Sequence, residues 1–238
     1  MPALPFAPWR TSGTVVGALL NDPALLHALG DAVEQPPYRG APRAAVLQVK
    51  PRHTFNVPGG AFEVADDPVQ SAEAGEDSAR AEVEIGATLA LVVGRAASRI
   101  AVEEAAAHVA GWMLVADLRL PLASHYRPGV RRAARDGSCF LGPALPFRDV
   151  PDPAAVPLAV TVGGRTAPAV DLAGLQRPWD RLLADVSAFM TLLPGDLLLL
   201  GSRHPAPRGR AGETFLINAA PFGQLSGHLV GPGAGGAP

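Results

Sequence analysis

Hydrophobic and polar positions follow two periods along this chain. Residues 14–20, TVVGALL, read as a short apolar strand, after which Leu25, Leu26, Leu29 and Val33 recur at helical spacing. Asp22-Pro23 stands just before that run, an N-cap followed by proline at the first helical position, and predicts a helix start. The Pro36-Pro37 pair and Gly40-Ala41-Pro42 end it and read as a linker. AVLQVKP, 45–51, is a short strand, and residues 51–80 form a long irregular stretch rich in Pro, Gly, Asp and Glu. EIGATLALVVG, 84–94, reads as a strand buried on both faces, and IAVEEAAAHVAGWMLVADLRL, 100–120, as a helix running into a second strand.

Residues 122–150 are polar and Arg-rich without a clear period. LAVTVGGRTAPAV then alternates like a strand and turn. GLQRPWDRLLADVSAFMTLL is an amphipathic helix with Trp179, Leu182, Leu183, Val186 and Met190 on one face. PGDLLLLGS adds a turn and a buried strand, and GETFLINAAPFGQLSGHLV two more. Many short strands with few helices predict a β-rich α+β fold, a mixed β-roll or sandwich with helices to one side, rather than alternating βαβ units. The expected organisation is a small strand-helix segment over 1–45, a core domain over 46–230, and a disordered tail over 231–238.

Composition narrows the function classes. The net charge is -2, the isoelectric point is near 6.3, and both signs are spread along the chain, so no basic face for nucleic acid is expected. Cys139 is the only cysteine, which excludes an internal disulfide and a thiolate zinc site and reads as a small half-buried residue. No apolar run reaches membrane-spanning length and MPALPFAPWR lacks the apolar centre of a secretory signal, so the expectation is a cytoplasmic protein with no membrane partner. No glycine fingerprint joins a strand to a helix, and no P-loop or nucleophile elbow is present. His108 has no second ligand at i+3 or i+4 and reads as a packed or surface residue. Lys50 is the only lysine, against a background of arginines.

The order of five segments, KPRHT, GATLALVVG, VAGWMLVADLRLP, SHYRPGVRRAARDG with LGP, and LLPGDLLLLGS, resembles the fumarylacetoacetate hydrolase family from Gly13 to about Val230. The resemblance implies a mixed β-roll, usually dimeric, in which two glutamates and an aspartate hold magnesium or manganese. That ion chelates a 2-oxo acid or enolate and stabilises charge developing on oxygen. A His-Glu pair near the N-terminus and a lysine near the site assist proton transfer. The implied substrates are di- or tricarboxylates from aromatic ring cleavage, isomerised, decarboxylated or hydrolysed. The implied partner is a second copy or a homologous subunit.

The catalytic positions depart from that pattern. The family glutamates stand eight and six residues before the glycine ending their strand, which is Gly94 here, so they fall on Gly86 and Thr88. Members that isomerise and decarboxylate share this Gly-Ala-Thr. Glu82 and Glu84 come four residues earlier, a displacement of about 13 Å along a strand. The third ligand position is retained as Asp117. The family histidine and glutamate, aligned through Asn21, fall on Leu25 and Ala28, with His27 out of register, and the family lysine falls on Ala133. A possible anion-binding set survives: Lys50, Arg52, Tyr126, Arg127, Arg131, Arg135, and Ser202 in the turn Gly201-Ser202-Arg203. His53 and His125 are the candidate proton carriers near the motifs. Three readings stay open: an isomerase or decarboxylase with a rebuilt metal site, a metal-free copy that pairs with an active homologue, and a module that binds a dicarboxylate without turnover.

Overall fold

The computed structural model describes residues 13–37, 39–65, 81–121 and 129–234. In chain order the strands are β1 (Val15–Leu19), β2 (Val46–Lys50), β3 (Phe55–Asn56), β4 (Ala61–Glu63), β5 (Glu82–Val93), β6 (Val109–Arg119), β7 (Cys139–Pro146), β8 (Ala159–Val162), β9 (Arg165–Thr166), β10 (Leu197–Leu199), β11 (Arg208–Arg210), β12 (Thr214–Ala219) and β13 (Gly223–Val230). The α-helices among these residues are α1 (Pro23–Leu29), α2 (Val130–Ala133) and α3 (Trp179–Ser187). The first sheet runs β2-β1-β10-β5-β6-β7-β3, with β11 also paired to β5, and the second runs β4-β13-β12-β8-β9. The expected β-rich class and roll or sandwich architecture hold.

The first sheet is rolled because of how its edges connect. Its two outermost strands, β2 and β3, are joined by residues 51–54 alone, a single 3-10 turn. Edges tied so closely cannot stay apart, so the sheet curls until β2 approaches β6 and β7. β1 lies inside this sheet, parallel to β10 and antiparallel to β2. The strand before the Pro-rich linker is therefore hydrogen-bonded on both sides within the core sheet.

The period-2 geometry of β5 and β6 separates two interiors. Val83, Ile85, Leu89, Leu91 and Leu114 face the second sheet and pack with Phe215, Ile217 and Leu225. Ala90, Val92, Met113, Val115, Cys139 and Leu141 face inside the roll. Trp112, Phe147 and Trp179 cluster where α3 docks, with Trp179 edge-on to Trp112 at 5.4 Å between centroids.

Local signals were largely right. Asp22 caps α1 through its side chain to Ala24 N. The stretch expected as a helix before β6 is instead a 3-10 helix, Val102–His108. Only Ala105 and His108 are buried there. A short connector with one alanine to bury gains little from full α turns. Of the tail, 235–238 lie outside the described residues.

Candidate functional site

The site is assembled by the β5–β6 register. Gly86 pairs opposite Asp117, Glu84 opposite Arg119, and Thr88 opposite Val115. Their side-chain positions share the face turned into the roll. β2 reaches this face from the seam and brings Gln48 and Lys50, which share one side of that strand.

Asp117 is 6 % exposed, and both its oxygens are engaged. Lys50 Nζ lies 2.5 Å from Oδ1 as an ion pair, and Oδ1 has no hydrogen-bond partner among the described residues. Gln48 Nε2 donates to Oδ2 at 2.6 Å. Lys50 itself is fully buried and also donates to Ala133 O at 2.5 Å, Leu118 O at 3.3 Å and Ser138 Oγ at 3.5 Å. This is how a buried charge is tolerated, with an opposite charge and hydrogen bonds replacing water. Gln48 Oε1 is buried without a hydrogen-bond partner among the described residues.

Opposite Asp117 the space of a larger side chain has been filled. A Cβ on Gly86 would stand 2.9 Å from Asp117 O, 2.9 Å from Ser202 Oγ and 3.0 Å from Ser202 Cβ. The Thr88 hydroxyl donates to Gly201 O at 2.8 Å. Gly201 adopts φ +98, a left-handed conformation that favours glycine, and this turn carries Ser202 against β5.

The turn is pinned from behind. Arg203 Nη1 donates to Asp22 Oδ1 at 2.9 Å, and His204 N to Asp22 Oδ2 at 2.7 Å, while the Asp22 side chain is 1 % exposed. Asn21 Nδ2 donates to Leu200 O at 2.8 Å, and its Oδ1 accepts from Arg177 N. Leu25 is buried and Ala28 is exposed on α1. The segment where the family resemblance leads one to expect a His-Glu pair thus anchors the 200–204 turn through Asn21 and Asp22.

Glu82 and Glu84 form an ion-pair ladder away from Asp117. Arg210 pairs with Glu82 at 2.6 Å, Arg208 spans Glu82 and Glu84, and Arg119 Nε donates to Glu84 at 3.1 Å. The ladder ties β11, β5 and β6 together and commits both carboxylates. Among the described residues no cluster of three or more His, Cys, Asp or Glu could hold a metal ion.

Of the remaining described candidates, Arg52, His53 and Arg135 make no hydrogen bond or ion pair with Asp117. Arg52 is exposed, and His53 is half exposed with Nε2 at 3.1 Å from Ala134 O. Arg131 is exposed and Arg135 half-buried on the segment around α2. Ser202 is half-buried against Gly86. His125, Tyr126 and Arg127 lie outside the described residues. His108 is buried beside Arg95 O, and His27 is exposed on α1. Cys139 is fully rather than half buried, opposite Asp117 in the β6–β7 register. Burial pushes its thiol up to about 12, with Lys50 opposing and Asp117 adding, so it stays a protonated, inert group at neutral pH. The residue that sequence reasoning missed is Gln48. Its only signal was the period-2 spacing to Lys50.

Comparison with known proteins accounts for this scaffold. The family model described as "Fumarylacetoacetate (FAA) hydrolase C-terminal" matches residues 14–230. The chain belongs to the fumarylacetoacetate hydrolase family. It is 37 % identical over 218 residues to the 4-hydroxyphenylacetate degradation bifunctional isomerase/decarboxylase of Salmonella dublin, covering 92 % of this chain and 47 % of that protein. The chain thus spans about half the length of these curated isomerase/decarboxylase relatives. A shorter match, 32 % over 125 residues, covers 51 % of this chain and 40 % of the mitochondrial oxaloacetate tautomerase FAHD2A of Homo sapiens. Among solved structures, 5-carboxymethyl-2-hydroxymuconate delta-isomerase from Mycobacterium smegmatis has a TM-score of 0.70 at 24 % identity, covering 94 % of this chain and 80 % of that one. Fumarylpyruvate hydrolase from Pseudomonas aeruginosa, solved with Mn2+ and pyruvate, has a TM-score of 0.69 at 22 % identity, covering 91 % and 89 %. These structures share the fold.

A divalent ion of the kind seen in that hydrolase does not fit the donors that the described residues present here. Magnesium and manganese need several anionic oxygens to offset dehydration. Here Gly86 has no side chain, the Thr88 hydroxyl is spent on Gly201 O, and Asp117 is bound by an ammonium and an amide.

Proposed function

We propose that this chain serves the isomerase/decarboxylase chemistry of aromatic-compound catabolism as its metal-free unit, pairing with an active fumarylacetoacetate hydrolase homologue that carries the full acidic triad. The reactions it serves are the isomerisation of 5-carboxymethyl-2-hydroxymuconate and the decarboxylation of 5-oxopent-3-ene-1,2,5-tricarboxylate, in the cytoplasm. Similarity to the bifunctional isomerase/decarboxylase over 92 % of the chain supports the pathway. The observation that carries the metal-free assignment is Asp117 closed off by Lys50 and Gln48, with Gly86 opposite it and Thr88 two residues further along the same face of β5. Arg52, Arg135 and His53, with Tyr126, Arg127 and His125, remain the groups with which the chain would meet a di- or tricarboxylate.

The reading is tested with purified protein in magnesium or manganese, assayed on both substrates alone and after mixing with an active homologue. The expected result is no turnover alone, and co-purification with a homologue that has all three acidic ligands. Metal-dependent turnover by the isolated chain would sink the proposal.

A further inference from the structure

We infer that the Lys50 ammonium is the resident cation of this site, a tethered charge seated in an oxygen cradle around Asp117, the position the family resemblance gives to a metal-ligating aspartate. The inference rests on the metal-free reading above and says how the site remains stable without a metal.

Four oxygens surround Nζ: Asp117 Oδ1 and Ala133 O, both at 2.5 Å, Leu118 O at 3.3 Å and Ser138 Oγ at 3.5 Å. One is a carboxylate, two are carbonyls and one is a hydroxyl, the same oxygen chemistry that hard cations take. They come from β6, α2 and the start of β7, so the ammonium ties three elements to the β2 seam. The Lys50 side chain is 0 % exposed, so these oxygens stand in for bulk water around the charge.

The charge arithmetic agrees. Asp117 contributes one negative charge and Lys50 one positive charge, so the buried centre is neutral as it stands. A divalent ion on Asp117 would meet an ammonium only 2.5 Å from its own ligand oxygen, and the two cations would repel. Ser202 seated against Gly86 crowds the place of a side chain at that position.

The test uses thermal melting of the full chain in EDTA, in millimolar MnCl2 and in propylammonium chloride. Propylammonium is the part of the side chain that Lys50→Ala deletes. The wild type should melt at the same temperature in EDTA and in manganese. Lys50→Ala should melt about 10 °C lower, because it leaves Asp117 buried and uncompensated. Propylammonium or manganese should then restore at least about half of that loss, and neither should act on Lys50→Ala/Asp117→Ala. If Lys50→Ala does not fold, the neutral pair Lys50→Met/Asp117→Asn decides: folding within a few degrees of wild type supports charge compensation, and failure to fold overturns it. Manganese stabilisation of the wild type that is lost in Asp117→Asn would overturn the inference. So would a Lys50→Ala protein that no cation rescues. The second result leaves the proposed function standing, since the wild type would still ignore metal, whereas turnover by the isolated chain removes the proposed function itself.

Discussion

The two faces of β5 have different fates. Toward the second sheet, Val83, Ile85, Leu89 and Leu91 form an apolar surface with every side chain buried. Toward the roll, Glu82, Glu84, Gly86 and Thr88 present charge, charge, nothing and a hydroxyl. One face follows a generic rule, that apolar residues of suitable volume fill a core. The other follows specific partners: arginines for the two glutamates, Ser202 for the gap at Gly86, Gly201 O for the Thr88 hydroxyl. A strand can therefore keep its place in a fold through one face while the chemistry on the other is rewritten.

The sharpest way to break this comparison is on the apolar face. Leu89→Ala should cost about 3 kcal/mol in urea unfolding, because its side chain is fully buried between the sheets. Next comes Gly86→Glu, which restores a family carboxylate by composition alone. It should lower stability by about 2 kcal/mol, since even its Cβ collides with Ser202 and Asp117 O, and titration calorimetry should show no manganese binding. Tight binding by that variant would show that the roll-side face is only stripped, not refilled.

Thr88→Val keeps the volume and removes only the hydroxyl bonded to Gly201 O, so about 1 kcal/mol should be lost. The smallest effect at neutral pH belongs to Cys139. Its thiol is raised from 9.0 to about 12 by burial, so both folded and unfolded states are protonated below about pH 9 and stability there does not depend on it. Between pH 9 and 12 the unfolded chain loses the proton first, so stability falls as pH rises. Cys139→Ala should flatten that decline in chemical denaturation, and the native thiol should resist disulfide reagents at pH 8.

Much of the fold could be read in advance because its signals are local. The Asp22-Pro23 start of α1, the turn at Gly195-Asp196 and the apolar run of β5 each act within a few residues. The misread stretch before β6 was also a local matter, a short alanine-rich connector with little surface to bury. The site was less legible. Spacing to Gly94 located Gly86 and Thr88, and Asp117 stood out in VADLRL, yet Lys50 was expected to meet a substrate and instead meets Asp117. Gln48 carried no signal of its own, because glutamine on a half-buried strand has many uses.

From the residues alone came the β-rich class, the family pattern and the loss of a carboxylate at two positions, all of which depend on residue type and spacing along the chain. The partners of the surviving groups depended on closure of the roll. Residues 51–54 join the two edge strands, and that long-range constraint carries Lys50 from β2 across to Asp117 on β6. Sequence separation does not encode such a contact. A buried ammonium and a buried carboxylate need each other once water is excluded, and only the folded chain shows that they are within reach.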